Sequence, residues 1–174
     1  HGARFYKRVH PKEIGTEFGM KENDIFGVLH FVTNNPSLFE IIEQVTNCEP
    51  IGCFSGRIYR MEAREKHGLD WHDDLISHRM VAMSINLSER RHRGGSLQIR
   101  ERKSKRIVFE FRNTNPGDAI LFRISPFLEH RLTETEGRIS KTAFSGWFQS
   151  KPNYPQASKN YMSKMSKLKT YWTI

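Results

Sequence analysis

The chain has 174 residues, with 28 Lys or Arg against 19 Asp or Glu, so its formal net charge is +9. One domain usually takes about 150 residues, and a chain of this length buries a core without disulfide or metal staples. A hydrophobic content of 37 % excludes an intrinsically disordered or collagen-like chain. The sequence has no apolar run of about 18 residues, so it predicts no transmembrane helix.

The first helix predicted with clear signals lies before residue 50. Asn35-Pro36 predicts its N-cap and first turn, and Ser37-x-x-Glu40 offers a capping box one step later. Apolar residues then recur at helical spacing and form a stripe that we expect to face the core: Leu38, Ile41, Ile42 and Val45. Cys48-Glu49-Pro50 is expected to end this helix, which should pack on one face of a sheet.

After residue 50 the pattern changes to short segments rich in β-branched and aromatic residues, each bounded by turn residues. Eight strands at roughly ten-residue spacing predict a mainly β protein, either a sandwich or a barrel, with a jelly roll among the options. The predicted strands are 56–61, 69–72, 80–87, 96–101, 106–112, 118–123, 128–133 and 139–149.

These elements predict one domain over residues 1–174. Helical support takes up about residues 1–50, the β core about 51–150, and a basic extension 151–174. The two cysteines, Cys48 and Cys53, are too few for a disulfide framework, and the N-terminus shows no signal-peptide apolar region. We therefore expect reduced thiols and a cytoplasmic protein.

A histidine and an aspartate two residues apart, His72 and Asp74, are the first candidates for chemistry. Residues i and i+2 of an extended segment point to the same side, so these two side chains can converge while Asp73 points away. His130 lies near the end of a later predicted strand. Two histidines and one carboxylate are the ligand set of non-haem Fe(II) oxygenases, which leaves three coordination positions open.

Several ordered motifs extend this pattern over about residues 50–150, namely His72-Asp73-Asp74, Gly94-Gly95-Ser96-Leu97, Pro116-Gly117-Asp118 before an apolar strand ending at Phe122, His130, and Gly146-Trp147-Phe148. In this order they resemble the prolyl-4-hydroxylase-like branch of the 2-oxoglutarate/Fe(II)-dependent dioxygenases. The resemblance implies a double-stranded β-helix, which is a jelly roll, with N-terminal supporting helices.

The resemblance also implies the chemistry. His72, Asp74 and His130 would bind Fe(II), and 2-oxoglutarate and O2 would be the cosubstrates. The expected reaction hydroxylates an unactivated C–H bond of an amino acid, a peptidyl residue or a small metabolite, with succinate and CO2 as co-products. The carboxylate of Asp74 argues against halogenation, because halogenases of this family have a small residue there.

The far carboxylate of 2-oxoglutarate needs a buried cation, and two residues compete for this role. Arg138-Ile139-Ser140 matches an R-x-S string of the wider superfamily, which implicates Arg138 and Ser140. In the resembling branch the basic residue stands six before the Trp of the Trp-Phe pair, which gives Lys141. Lys141 is favoured because choosing Arg138 would put three extra residues inside a strand, where insertions are poorly tolerated.

Two further positions are candidate contacts of 2-oxoglutarate by resemblance. Tyr59 lies where the family often has a cosubstrate-binding Tyr. Asn86 stands in the slot of another family Tyr and departs from the pattern. Possible substrate-binding residues are Arg57, Arg131 and Trp147.

Positive charge is concentrated in residues 90–106, which contain eight Lys or Arg, and again in the C-terminal extension. The charge predicts either solvated turns or an acidic partner. A nucleic-acid demethylase of the same superfamily is an alternative function, although the further Arg expected of such enzymes is missing. A non-catalytic basic β-barrel that only binds is a third alternative. The expected partner is otherwise a small-molecule or peptidyl substrate, and no membrane.

Overall fold

The computed structural model describes residues 12–16, 24–76 and 78–150 of the chain, with the backbone alone for 12–16 and 24–26. The basic extension 151–174 lies outside these described residues. The helices are α1 (Asp24–Thr33) and α2 (Pro36–Thr46), and one 3₁₀ turn covers Ala63–Glu65. The strands are β1 (Lys12–Thr16), β2 (Cys53–Met61), β3 (Leu69–His72), β4 (Arg79–Asn86), β5 (Arg93–Gly94), β6 (Leu97–Glu101), β7 (Ile107–Phe111), β8 (Ala119–Arg123), β9 (Leu128–Leu132), β10 (Thr135–Glu136) and β11 (Lys141–Gln149).

Two antiparallel sheets face each other as a jelly roll, which confirms the predicted fold class. The larger sheet has the strand order β1-β2-β11-β4-β8, and the smaller has β3-β9-β6-β7. A two-residue ladder of β5 and β10 forms beside them. The strand β11 lies at the centre of the larger sheet and pairs with β2 on one side and β4 on the other.

The hydrophobic core lies on the outer face of the larger sheet, where the helices pack. Phe144 and Phe148 of β11 are fully buried there, with Phe54 of β2 and Ile42 of α2. Leu38 packs against this cluster as predicted. Ile41 and Val45, the other members of the predicted stripe, are 56 % and 75 % exposed, so the buried face of α2 is narrower than predicted.

The start of α2 agrees with its sequence signals. Asn35 is the N-cap, its side-chain oxygen accepts the backbone N–H of Ser37 at 2.9 Å, and Pro36 begins the helix. The capping box one step later is not used, because Asn35 already supplies the cap. Asn47 ends the helix in the left-handed region with φ 49°.

All eight predicted strands are present, with ends within about three residues of the prediction. The prediction of helical support over residues 1–50 omitted β1, which pairs antiparallel with β2. The strand β1 has the sequence Lys-Glu-Ile-Gly-Thr, whose single large apolar residue gives no alternating pattern. None of the helices in the described part of the chain has the length and apolar character needed to span a membrane.

Candidate active site

Three side chains meet between the two sheets, at one end of the smaller sheet. His72 ends β3, Asp74 follows it, and His130 lies in the middle of β9, where it pairs directly with His72. One ligand atom from each lies within 4.8 Å of the others. Nε2 of His130 is 3.4 Å from Oδ2 of Asp74, and Nε2 of His72 is 3.8 Å from Oδ1.

A backbone carbonyl fixes the orientation of His72. Its Nδ1 lies 2.7 Å from the carbonyl oxygen of Asp70, so Nδ1 carries the proton and donates to that oxygen. The lone pair of Nε2 is therefore directed toward Asp74 and His130. Burial, and then the electrostatic influence of His130, lower the pKa of His72, and the Asp70 carbonyl and the two aspartates oppose this shift. A lowered pKa keeps His72 neutral, which is the form that binds a metal.

Asp74 is held by a tryptophan and an arginine. Nε1 of Trp147 donates to Oδ2 at 2.7 Å, and Nη1 of Arg79 lies 3.4 Å from Oδ1. The guanidinium of Arg79 also stacks 3.5 Å from the centre of the Trp147 ring. Burial raises the pKa of Asp74, but hydrogen bonds from His130 and Trp147 outweigh it, and the pKa falls below its ordinary value. Asp74 is therefore ionised at neutral pH.

The donor set and spacing fit a divalent metal ion. Ligand atoms about 2.1 Å from a metal and at right angles to one another lie roughly 3 Å apart, close to the shorter separations in this cluster. Two imidazole nitrogens and one carboxylate, all from one side, match the facial triad of non-haem Fe(II) sites. His72, Asp74 and His130 would thus hold the iron, as the resemblance implies.

A cavity of about 330 Å³ opens from the triad into the space between the sheets. Its walls are mostly apolar: Met61, Leu69, Ala82, Met83, Leu97, Phe122, Leu132 and Ala143. Lys141, Ala143, Ser145 and Trp147 of β11 all line it, as expected for alternate residues of one strand. The cavity therefore joins the triad, which Trp147 contacts, to a single buried lysine.

Of the two candidate anchors, Lys141 lines the cavity and Arg138 does not. Lys141 is 2 % exposed, its Nζ donates to the carbonyl oxygen of Gly95 at 2.8 Å, and burial lowers its pKa to about 8. Arg138 is exposed. Ser140 points away from the cavity and donates to the carboxylate of Glu62. Ser140 directly precedes Lys141, and neighbouring residues of an extended segment point to opposite sides, so Ser140 does not share the cavity with Lys141.

The Gly94-Gly95 pair allows Lys141 to reach this position. Both glycines have positive φ, at 67° and 63°. A Cβ on Gly94 would lie 2.1 Å from the carbonyl oxygen of Glu134, and one on Gly95 would lie 3.1 Å from Cδ of Lys141. A larger residue at position 94 would clash with the backbone of Glu134, and one at position 95 would crowd the Lys141 side chain.

The two other candidate contacts of 2-oxoglutarate, Tyr59 and Asn86, differ in position. Tyr59 lines the cavity. Asn86 is fully buried, but it is not among the residues lining the cavity. Its amide nitrogen donates to the carbonyl oxygens of Asn115 at 2.9 Å and Asn113 at 3.4 Å, and its oxygen accepts from Ser88. The Asn86 side chain therefore holds the loop 113–115, and its contact with 2-oxoglutarate stays a prediction.

The three possible substrate residues also differ in position. Trp147 lines the cavity beside Asp74. Arg131 is on the outer face of the smaller sheet, where its Nε donates to Gln98 and its guanidinium stacks on Trp71. Arg57 is exposed and is not among the cavity-lining residues. Of the three, Trp147 lines the cavity beside the triad, and the substrate-binding role of all three stays a prediction.

Sequence reasoning missed three residues that shape the site. Arg79 and the Asp70 carbonyl orient the metal ligands, and Ser84 lines the cavity. Strand phase could have found Ser84, because Ser84 and the inward-facing Asn86 are two residues apart and therefore lie on the same face of β4. The Asp70 carbonyl leaves no trace in the residue type, so no sequence signal could have found it.

The two basic clusters of residues 90–106 lie at opposite ends of the barrel. Arg93 of β5 lies opposite Glu136 in the backbone ladder with β10, near the end of the barrel where Lys141 begins β11. The turn 102–105 lies at the triad end, because Glu101 pairs with Leu128, two residues before His130. Arg102 on this turn reaches Asp73, between the two ligands of the first motif, with an N–O distance of 2.9 Å.

Arg102→Ala should weaken Mn²⁺ binding to the triad by about two- to five-fold, because a half-exposed ion pair contributes up to about 1 kcal/mol. Asp73 also accepts the backbone N–H of Leu75, so the pair stiffens the segment that carries Asp74. Calorimetric titration with Mn²⁺ measures the effect. Lys103→Ala on the same turn is the control and should bind Mn²⁺ as the wild type does. Equal affinity of all three proteins would show that Arg102 does not support the site.

A comparison with protein families identifies the chain. The family model described as the 2OG-Fe(II) oxygenase superfamily matches residues 56–149, more than half of the chain. The chain belongs to this superfamily, whose cofactors are Fe(II), 2-oxoglutarate and O2. No curated protein sequence gives a significant match.

Solved structures with the same fold include two prolyl hydroxylases. One is the Trichoplax adhaerens prolyl hydroxylase in complex with a hypoxia inducible factor peptide fragment, at TM-score 0.58 and 14 % identity, covering 83 % of this chain and 66 % of that one. Another is the Pseudomonas putida prolyl-4-hydroxylase, at TM-score 0.51 and 17 % identity, covering 67 % and 62 %.

An oxidoreductase of the 2OG-Fe(II) oxygenase family from Burkholderia pseudomallei matches at TM-score 0.54 and 12 % identity, covering 75 % of this chain and 60 % of that one. At such identities the likeness establishes the fold. This chain spans less than two thirds of the length of each of the three structures.

Proposed function

We propose that the protein is a 2-oxoglutarate- and Fe(II)-dependent hydroxylase that acts on an unactivated C–H bond and releases succinate and CO2. One observation carries the proposal: a complete His-Asp-His set and a buried lysine share one apolar cavity. The triad can hold a metal, and the lysine can hold the far carboxylate of a dicarboxylic 2-oxo acid.

Fe(II), 2-oxoglutarate and O2, when bound, supply the oxidative chemistry. The residues of this chain bind, orient and exclude water. Trp147 and Arg79 hold the carboxylate of Asp74, and the Asp70 carbonyl keeps Nε2 of His72 unprotonated. The apolar walls raise the strength of the interaction between Lys141 and a carboxylate, because a low local dielectric screens charges weakly.

The substrate class that we propose is a peptidyl residue or an amino acid. Its support is the shared fold with prolyl hydroxylases, one of which is in complex with a peptide fragment. Exposed apolar side chains near the triad would suit a peptide. Leu75 and Ile76 follow Asp74 directly and are 45 % and 60 % exposed, and Phe127 precedes β9 and is 77 % exposed.

Succinate formation by the recombinant chain tests the proposal. The assay contains Fe(II), ascorbate, 2-oxoglutarate and a panel of free amino acids and proline-containing peptides. We expect succinate in amounts that rise with one class of substrate. Anaerobic addition of 2-oxoglutarate to the Fe(II) protein should also produce a visible charge-transfer band. Absence of both the band and succinate would overturn the proposal and favour a non-catalytic binding module.

A further inference from the structure

Two serine hydroxyls face each other inside the cavity, between the triad and Lys141. Ser84 of β4 pairs directly with Ser145 of β11, and both line the cavity. The Oγ of Ser145 is 2.9 Å from that of Ser84. The described residues that line the cavity offer few other polar side chains: the triad, Trp147, Lys141 and Tyr59.

Strand geometry gives the depth of the serine pair. Along β11, Trp147, Ser145 and Lys141 point into the cavity from one strand face. Two residues of a strand span about 7 Å, so Ser145 lies one such step from Trp147, which contacts Asp74, and two steps from Lys141. A molecule that extends from the metal ligands toward Lys141 must therefore pass Ser84 and Ser145.

One of the two hydroxyl hydrogens of the serine pair is not used in the hydrogen bond between the serines. Each serine carries one O–H, and the bond between the two oxygens uses one of these hydrogens, whichever serine donates it. Within the described part of the chain, neither hydroxyl has a second hydrogen-bond acceptor. This hydrogen has no acceptor among the described residues, so it is available to an acceptor that enters the cavity.

We infer that Ser84 and Ser145 together donate a hydrogen bond to the 2-oxo acid end of the cosubstrate, the end opposite the carboxylate held by Lys141. The inference rests on the proposed function. The 2-oxo acid group has only acceptor oxygens, and the acceptor chemistry of a carboxylate matches a hydroxyl donor in an apolar wall. Ser84 and Ser145 are positioning residues for this end of the molecule.

The test compares two ligands in the anaerobic Fe(II) protein. The ligands are 2-oxoglutarate and pyruvate, which has the same 2-oxo acid group and no far carboxylate. The visible charge-transfer band reports the binding of each. We expect the double variant Ser84→Ala/Ser145→Ala to bind both ligands about 10-fold more weakly, as loss of a hydrogen bond to a charged group predicts. Each single variant should change affinity by less than about two-fold, because the remaining hydroxyl still donates; the two single effects then multiply to well below the effect of the double variant, so they are not additive.

Two controls separate this role from a structural one. Thr142→Val, on the opposite face of β11, should bind both ligands as the wild type does. Unchanged melting temperatures of the serine variants would show that the fold is intact. Wild-type affinity of the double variant, or weaker binding of 2-oxoglutarate alone, would overturn the inference. A wild-type protein with no charge-transfer band would instead overturn the proposed function, so the two failures are distinguishable.

Discussion

Replacing Asp74 by alanine should abolish succinate formation and weaken metal binding by more than about 100-fold. Loss of a residue that only supports a metal ligand typically weakens binding 10- to 100-fold, and Asp74 is itself the ligand. Asp74 also accepts from Trp147 and lies against Arg79, so its removal leaves both donors without their acceptor. Titration with Mn²⁺ and the succinate assay measure the two effects.

Asp74 has a φ of 55°, in the left-handed region that Asp and Asn tolerate better than Ala. Asp74→Asn therefore preserves the backbone and most of the shape and removes the charge, and it should lose activity with nearly wild-type stability. Asp73→Ala, one residue away, is the matched control and should keep most of its activity. Succinate formation by Asp74→Ala at the wild-type rate would show that Asp74 is not a ligand.

The fold was predictable because the sequence shows a clear helical spacing before residue 50 and clear strand-like segments after it. The eight strands after residue 50 have β-branched and aromatic residues between clear turns, and all eight are present. The strand β1 was not predicted, because its pairing with β2 comes from backbone hydrogen bonds and not from an apolar pattern. The exposure of Ile41 and Val45 shows that helical spacing locates a stripe and does not fix how much of it is buried.

The site was predictable in its ligands and less so in its surroundings. The sequence predicts that His72 and Asp74 converge because residues two apart on an extended segment share a side. The structure brings both together with His130, but β3 ends at His72 and Asp74 reaches the cluster through a left-handed backbone conformation. Strand phase on β11 also placed Lys141 with Trp147 correctly on the cavity wall. Asn86 shows the limit of this reasoning, because phase places it inward and only the loop 113–115 determines what its amide contacts.

Lys141 carries a charge that the ligand-free protein accommodates poorly. Burial lowers its pKa from 10.5 to about 8, which corresponds to about 3 kcal/mol of unfavourable free energy for the charged form. Its one hydrogen-bond acceptor among the described residues is the carbonyl oxygen of Gly95. The carboxylate of 2-oxoglutarate would compensate this charge, so the same residue should reduce the stability of the empty protein and increase affinity for the cosubstrate.

Lys141→Met should therefore stabilise the ligand-free protein by about 1–3 kcal/mol at pH 7, since burying an unpaired charge is unfavourable. It should also weaken 2-oxoglutarate binding about 30- to 150-fold, the loss expected for one charged hydrogen bond. Urea unfolding and the anaerobic charge-transfer titration measure these two effects.

The stability difference between wild type and Lys141→Met should shrink as the pH rises from about 8 toward 10.5. In this range the unfolded wild type binds the proton that the folded state has lost, so wild-type stability increases relative to the variant. In wild type, 2-oxoglutarate affinity should fall about ten-fold between pH 7 and pH 9, as the charged fraction of Lys141 falls. Arg138→Met is the control, because Arg138 is exposed and should affect neither property. Weaker 2-oxoglutarate binding by Arg138→Met, with wild-type affinity in Lys141→Met, would show that the R-x-S arginine is the anchor.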